Sequence, residues 1–345
     1  HQLVAHVGRP QFIAALQKYF AKHAWGNTTL EDLLVELEAS SGRKLDSWVS
    51  TWLQTAGVNT LRPSLEIDGD VYKKVTINQE APLVPEGSKE LRPHRLAVGL
   101  YDISGDSLHL RKSVELDVAG AATVVSELAG EKVADLLLIN DRDLSYAKLR
   151  FDERSIATLK THLGKFDDAL ARALCWASIW DMHRDAEISS ADFIEIALNG
   201  LAGETDDAIA SIVLMQLNTS VEAYSQDSHR DSYREKLAAG LWTLLQKASA
   251  GSDLQLLISR AFANNAQTVD QGAKIRELLN GKVAGLKVDT DLRWFFLTAL
   301  TERGAVTKTE LDAELAEDNT TTGNIAFETC LAALPNHEAK AYAFK

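Results

Sequence analysis

The side chains most able to do chemistry in this chain are nine histidines and two cysteines, set among 49 carboxylates. A hydrolytic zinc centre needs three protein ligands and an open position. On a helix, two of those ligands come as His-Glu-x-x-His, with the Glu as general base. His1 and His6 are the nearest pair, and Gln2 and Val7 follow them, not Glu. His23, His94 and His109 fall in different predicted elements. His162, His183, His229 and His337 sit singly near predicted helix ends, where an imidazolium complements the helix dipole. No histidine metal site is expected. Cys175 (in ALCWASIW) and Cys330 (in FETCLAAL) lie in apolar helical patterns and read as buried, reduced thiols. There is no Gly-x-Ser-x-Gly elbow. Gly-Glu-Thr at 203–205 and Gly-Ser-Asp at 251–253 read as helix breaks, not phosphate loops. The acid pairs Asp167/Asp168 and Asp206/Asp207 fall where helices start and complement their dipoles. The chain is expected to hold no catalytic residue of its own.

Arginines offer binding chemistry. Arg142, Arg150, Arg260, Arg276 and Arg293 lie in or just before a long helical region. Arg293, in DLRWFF, has two readings. One is a partly buried structural pair with Asp291 or with a neighbouring helix. The other is a bidentate clamp for the C-terminal carboxylate of a peptide, which the planar guanidinium suits.

The elements that must position these groups change period along the chain. Residues 1–59 read as helical. Phe12, Ile13, Leu16, Tyr19 and Phe20 recur at helical spacing after Pro10, Thr28 or Thr29 caps a second helix that stops at Gly42, and Leu45, Trp48, Val49 and Trp52 mark a third. Residues 60–152 switch to period two. Val71, Lys73, Val75 and Ile77 alternate with Tyr72, Lys74 and Thr76; Leu96, Val98 and Leu100 share a face; Leu108, Leu110, Lys112 and Val114 do likewise, with a slip expected near Lys112. Short strands split by Asp-Gly and Ser-Gly-Asp turns predict a small antiparallel β-sandwich. Residues 153–345 are helical throughout, with segments such as Ser190–Leu201 and Asp206–Val221 capped by Ser189 or Ser190 and by Asp206. Short breaks between them predict a stacked, superhelical, solenoid-like domain. The fold class expected is thus multidomain α+β.

Composition narrows the function classes. With 36 basic against 49 acidic residues, the formal charge of −13 argues against nucleic-acid and anionic-membrane surfaces. No run approaches the length of a membrane helix, and no signal segment opens the chain. Two isolated thiols and no disulfide framework favour a reducing compartment, so a cytoplasmic location is expected.

Four stretches resemble, in order, the back half of the aminopeptidase N family of zinc aminopeptidases. The helical opening carries Phe12, Leu16, Tyr19, Asn27, Thr28, Asp32, Leu33, Trp48, Trp52 and Gly57 where that family's catalytic domain ends. VNTLRPSLEID with RLAVGLYDI is similar to the small sandwich domain that follows. NDRDLSYAKLRFDE resembles the segment opening the family's helical domain, with Tyr146, Lys148, Leu149, Phe151 and Asp152 in place and Ser145, Ala147 and Arg150 departing from it. The tail from Asp291 to Phe344 is similar to the end of the actinobacterial-type branch.

The resemblance implies a parent metallo-aminopeptidase that removes N-terminal residues from peptides. It also implies that zinc, its ligands, the general base and the catalytic Tyr belong to a catalytic domain upstream of His1. The chain opens in mid-pattern at His1 and is expected to be a piece of that parent, lacking the zinc-binding segment. Its partners would be the peptide substrate and its own catalytic domain, its role to enclose the active-site chamber and size-select peptides, and its isolated activity nil. The alternative is a stand-alone, inactive helical scaffold that binds protein or peptide partners. The two differ at the first helices: a piece exposes apolar surface there, with Phe12, Tyr19, Phe20, Trp25, Trp48 and Trp52 as candidates.

Overall fold

The computed structural model describes residues 1–344. Fifteen α-helices and seven strands are present among the described residues, in two compact units, His1–Glu187 and Ile188–Lys345.

The first unit opens with α1 (Gln2–Val7), α2 (Arg9–Lys22), α3 (Leu30–Ser41) and α4 (Asp46–Leu53). Local chemistry sets their ends. Pro10 lies in the first turn of α2, Thr29 and Asp32 form a reciprocal capping box on α3, and Gly42 ends α3 in the left-handed region at φ 70°. Ala15, Leu34, Leu37, Leu45 and Trp48 are buried together beneath these helices.

Strands β1 (Thr60–Asp68), β2 (Val71–Glu80), β3 (His94–Ser104), β4 (Ser107–Val118), β5 (Ala122–Val124), β6 (Leu136–Ile139) and β7 (Lys148–Leu149) form two sheets, ordered β5-β2-β1-β7 and β4-β3-β6. Leu61, Val75 and Ile77 from the first sheet share one core with Val98, Leu100 and Leu137 from the second. Two register shifts change which side chains reach that core. In β1–β2 the shift at Glu66/Ile67 leaves Lys73 unpaired, so Tyr72 joins Val75 and Ile77 in the core. The strict alternation predicted for Val71 to Ile77 is corrected there, because one extra residue inverts every side chain beyond it. In β3–β4 the shift leaves Arg111 unpaired beside Lys112, where the sequence predicts a slip. Leu110 is therefore exposed, while Val114 and Val118 face the core.

One pairing departs from the all-antiparallel expectation: β7 lies parallel to β1, Thr60 opposite Lys148. A parallel neighbour needs a long crossover, and the intervening strands supply it. Helices α5 (Glu153–His162) and α6 (Ala169–Arg184) complete the unit. The Ser155 hydroxyl accepts from the Leu137 amide at 3.0 Å and Thr158 donates to the Asp135 carbonyl at 2.7 Å, which ties α5 to β6.

The second unit is all helical: α7 (Ser190–Leu201), α8 (Asp207–Thr219), a turn of π-helix over Ser220–Tyr224, α9 (Asp227–Lys247), α10 (Asp253–Asn265), α11 (Val269–Leu279), α12 (Thr290–Glu302), α13 (Lys308–Glu317), α14 (Thr321–Ala333) and α15 (His337–Ala343). Side-chain caps recur as predicted: Ser189 accepts from the Asp192 amide, and Asp206 from Ala208 and Ile209. Helices pack on neighbours one or two places along the chain, α7 on α8 and α9, α10 on α8 and α9, α12 on α11 and α14. Close approach decides one position. A Cβ on Gly240 of α9 would lie 2.4 Å from the Leu198 side chain of α7, so any larger residue forces that side chain to move.

Candidate functional site

Arg293 stands one turn into α12, whose first turn is capped by the Asp289 carboxylate accepting from the Leu292 amide at 2.9 Å. Its guanidinium does not use Asp291. It forks onto Glu314 of α13, Nε to Oε1 at 2.6 Å and a terminal nitrogen to Oε2 at 2.5 Å. The Arg293 side chain is 40% exposed and Glu314 only 11%. Hydrogen bonding to Glu314 raises the Arg293 pKa above its ordinary value.

Glu310, four residues before Glu314 and so on the same face of α13, receives Arg276 from α11 in the same manner, and Arg276 also donates to the Ala305 carbonyl. One acidic face of α13 thus holds two arginines from two helices. Arg303, at the end of α12, was not among the arginines singled out from sequence. It donates to the carbonyls of Ala266, Ala299 and Asn264, and burial lowers its pKa. With Arg276 it lines a cavity of about 300 Å³, together with Val269, Gly272 and Leu300. Nothing in the local pattern TERG marks Arg303, because its partners are backbone carbonyls, two of them distant in sequence.

The remaining arginines separate. Arg260 lies over the Phe295 ring at 4.8 Å. Arg142 pairs with Glu115 at the surface, at 2.8 Å. Arg150 is 2% exposed and bridges Asp185 and Glu187 of the α6–α7 connection. Lys148 and Arg62 reach the same two carboxylates, and these cations lower both acids' pKa values against the opposing effect of burial.

The histidines do not converge. His94, at the start of β3, is buried, with Gln79 Oε1 2.7 Å from Nε2 and Ser145 Oγ 2.7 Å from Nδ1. The Gln79 oxygen can only accept, so Nε2 carries the proton and Nδ1 accepts from Ser145. Burial first, then the Arg92 charge, lowers its pKa to about 4. Asn140 holds Ser145 in place by exchanging two side-chain-to-backbone hydrogen bonds with it. Cys175 and Cys330 are free and buried, and burial raises both thiols, so neither is a nucleophile at neutral pH. Among the described residues no group of three or more His, Cys, Asp or Glu could hold a metal ion.

The predicted apolar surface of the first helices divides. Phe20 and Trp25 are exposed, together with Ile13, Leu30 and Val35. Trp48 is buried in the helical core, which corrects its place among the exposed candidates: it points inward from α4 to Leu37 and Leu45. Trp52 is half-buried, donates to the Pro93 carbonyl at 3.0 Å and packs edge-on to His94.

The sequence that folds this way is similar to known proteins. The ERAP1-like C-terminal domain matches residues 136–345. The chain belongs to that family and corresponds to the C-terminal portion of an aminopeptidase N. It is similar over its whole length to the aminopeptidase N of Streptomyces lividans, at 44% identity, covering 41% of that protein. Half of the chain is 27% identical to aminopeptidase M1 of Arabidopsis thaliana, covering 18% of it. A stretch covering 62% of the chain is 22% identical to the Tricorn protease-interacting factor F2 of Thermoplasma volcanium, covering 24% of it. The chain therefore spans well under half the length of each of these relatives. No described helix is long and apolar enough to cross a membrane.

Proposed function

We propose that this chain is the non-catalytic part of a zinc aminopeptidase that removes N-terminal residues from peptides. The family match over residues 136–345 carries the reading. In this reading zinc and its ligands belong to the rest of the parent protein, as the resemblance to aminopeptidase N implies. The exposed Phe20, Trp25, Ile13, Leu30 and Val35 favour a larger parent over a free-standing scaffold, since such a patch is covered by a partner surface.

In this reading residues 1–59 close the catalytic domain, 60–152 form a sandwich and 153–345 a superhelical domain, in a cytoplasmic enzyme. The helices enclose the active-site chamber, select peptides by size and touch them beyond the scissile bond. Enclosure of this kind excludes water and folded proteins. Arg293 contacts the peptide C-terminal carboxylate by exchanging it for Glu314, since one guanidinium fork holds one carboxylate at a time.

The test is the complete enzyme with and without residues 153–345, assayed on an aminoacyl anilide and on a series of peptides of increasing length. Retained anilide turnover with altered length dependence is the expected result. Unchanged length dependence overturns the enclosing role. Arg293→Ala in the same series reports on the carboxylate contact, and an unchanged profile removes it.

A further inference from the structure

Two Asn-Gly pairs occur in the chain, Asn199-Gly200 and Asn280-Gly281, each preceded by leucine. The pair has a chemistry of its own. With no Cβ on the second residue to hinder approach, the glycine nitrogen can attack the side-chain amide before it. In sequence the two pairs are equivalent, and the fold separates them.

Asn199 and Gly200 lie inside α7, which runs on to Leu201. Gly200 is buried and Leu201 is 0% exposed. Turning the Gly200 nitrogen onto the Asn199 side chain therefore unwinds the end of α7 and draws Leu201 out of the core. Asn280 and Gly281 instead lie where α11 ends, and both are exposed. Asn280 is the C-cap, and Gly281 follows it in the left-handed region at φ 62°. The Gly281 amide donates to the Leu278 carbonyl at 3.0 Å and the Lys282 amide to the Glu277 carbonyl at 2.9 Å. This closing turn is the reason that glycine stands after Asn280. A Cβ built on Gly281 would meet nothing within 4 Å, so approach to its nitrogen is open. Exposed helix ends also fray at little cost, whereas buried segments open rarely.

We propose that Asn280 is a modification site, at which the chain deamidates and acquires isoaspartate. The Gly281 nitrogen loses its proton and bonds to Asn280 Cγ, the Cγ–Nδ2 bond breaks, and ammonia leaves with that proton. Water then opens the five-membered imide. Cleavage between nitrogen and Cγ gives aspartate. Cleavage between nitrogen and the main-chain carbonyl carbon gives isoaspartate, whose backbone is longer by a methylene. Either product puts a carboxylate at the C-terminal end of α11, three residues from Glu277, where the helix dipole disfavours it. The added methylene also breaks the spacing of the closing turn, so the modified chain is less stable than the fresh one.

The test is the full chain aged in neutral buffer, folded or in urea, and then cut with trypsin. Trypsin releases residues 277–282, between Arg276 and the bond after Lys282, and mass spectrometry reads amide-to-acid conversion there and in the peptide carrying Asn199. In urea both pairs are expected to react at similar rates. In the folded chain Asn280 is expected to react at least about tenfold faster than Asn199, the factor set by exposing one buried leucine. An isoaspartyl methyltransferase with labelled S-adenosylmethionine is expected to mark residues 277–282 of the aged folded chain and not the Asn199 peptide. That chain is expected to melt below the fresh one, and Asn280→Ser to show neither label in 277–282 nor shift on ageing. Equal folded-state rates at the two pairs, or an unmodified 277–282 peptide once the urea sample has reacted, overturns the proposal. Labelling at Asn280 with an unchanged melting temperature overturns the loss of the α11 cap.

Discussion

Protonation of His94 makes the first unit acid-labile, and the size of the effect follows from its surroundings. The imidazole is buried between Gln79 and Ser145, with the Arg92 guanidinium nearby, and its pKa falls from 6.5 to about 4. Arg92 is itself buried and donates to the Thr51 and Ala56 carbonyls, the Asn59 side-chain oxygen and the Thr55 hydroxyl, all neutral. Its charge therefore persists next to the ring. In the unfolded chain His94 takes up its proton as pH falls through 6.5, whereas in the folded chain it does so only near 4. Unfolding thus binds protons across this window, and stability falls as pH falls from 6.5 to 4. One pKa unit is worth about 1.4 kcal/mol, so the loss reaches about 2.5 kcal/mol at pH 4.5 and levels off near about 3 kcal/mol below pH 4. His94→Gln keeps a neutral polar side chain and removes the titration. Urea unfolding followed by near-ultraviolet circular dichroism at pH 7.5, 6.0, 5.0 and 4.5 measures both proteins. The wild type is expected to lose about 2.5 kcal/mol more than His94→Gln over that range. Parallel pH profiles for the two proteins would show that His94 is not buried neutral, and the network described for it would be wrong.

Three further outcomes follow from particular contacts. Arg92→Met strips the donor from the Thr51 and Ala56 carbonyls and from Asn59, and is expected to destabilise by about 3 kcal/mol or more in urea unfolding; Arg92→Lys recovers only part, since an ammonium cannot reach the same spread of acceptors. Gly240→Ala gains about 1 kcal/mol of helix propensity but meets Leu198 at 2.4 Å, so net destabilisation of about 1–2 kcal/mol is expected, relieved by adding Leu198→Ala; a stabilised single variant would contradict the packing of α7 on α9. The purified chain is expected to leave aminoacyl anilides intact with or without added zinc, and hydrolysis that a chelator abolishes would mean that a metal site forms from residues that lie apart here.

Much of this architecture was legible in local pattern. Helix starts follow from single capping residues, so Ser189, Asp206 and Thr29 announced their helices correctly. The change from period two to period 3.6 near Asp152 coincides with the cap of α5, whose side chain accepts from the Ser155 amide. Faces of strands were less legible. Tyr72 reaches the core and Leu110 leaves it because a bulge is a property of two paired strands, and a single strand's alternation does not contain it.

Charge partners were the least legible. Asp291 sits two residues from Arg293 and was the natural partner in sequence, yet residues two apart on a helix do not face each other, and the fork closes on Glu314. Arg303 and Arg92 were invisible because their acceptors are backbone carbonyls, which every residue carries, and, for Arg92, the neutral side chains of Asn59 and Thr55. The sequence by itself determined the order of elements, their caps, the absence of a His-Glu-x-x-His motif and the family resemblance, all of which depend on residues within a turn or two of one another. Tertiary structure alone decided which arginines are spent on carboxylates and that His94 is buried neutral. Those properties depend on which groups meet across elements and how far water is excluded, and neither is encoded in spacing along the chain.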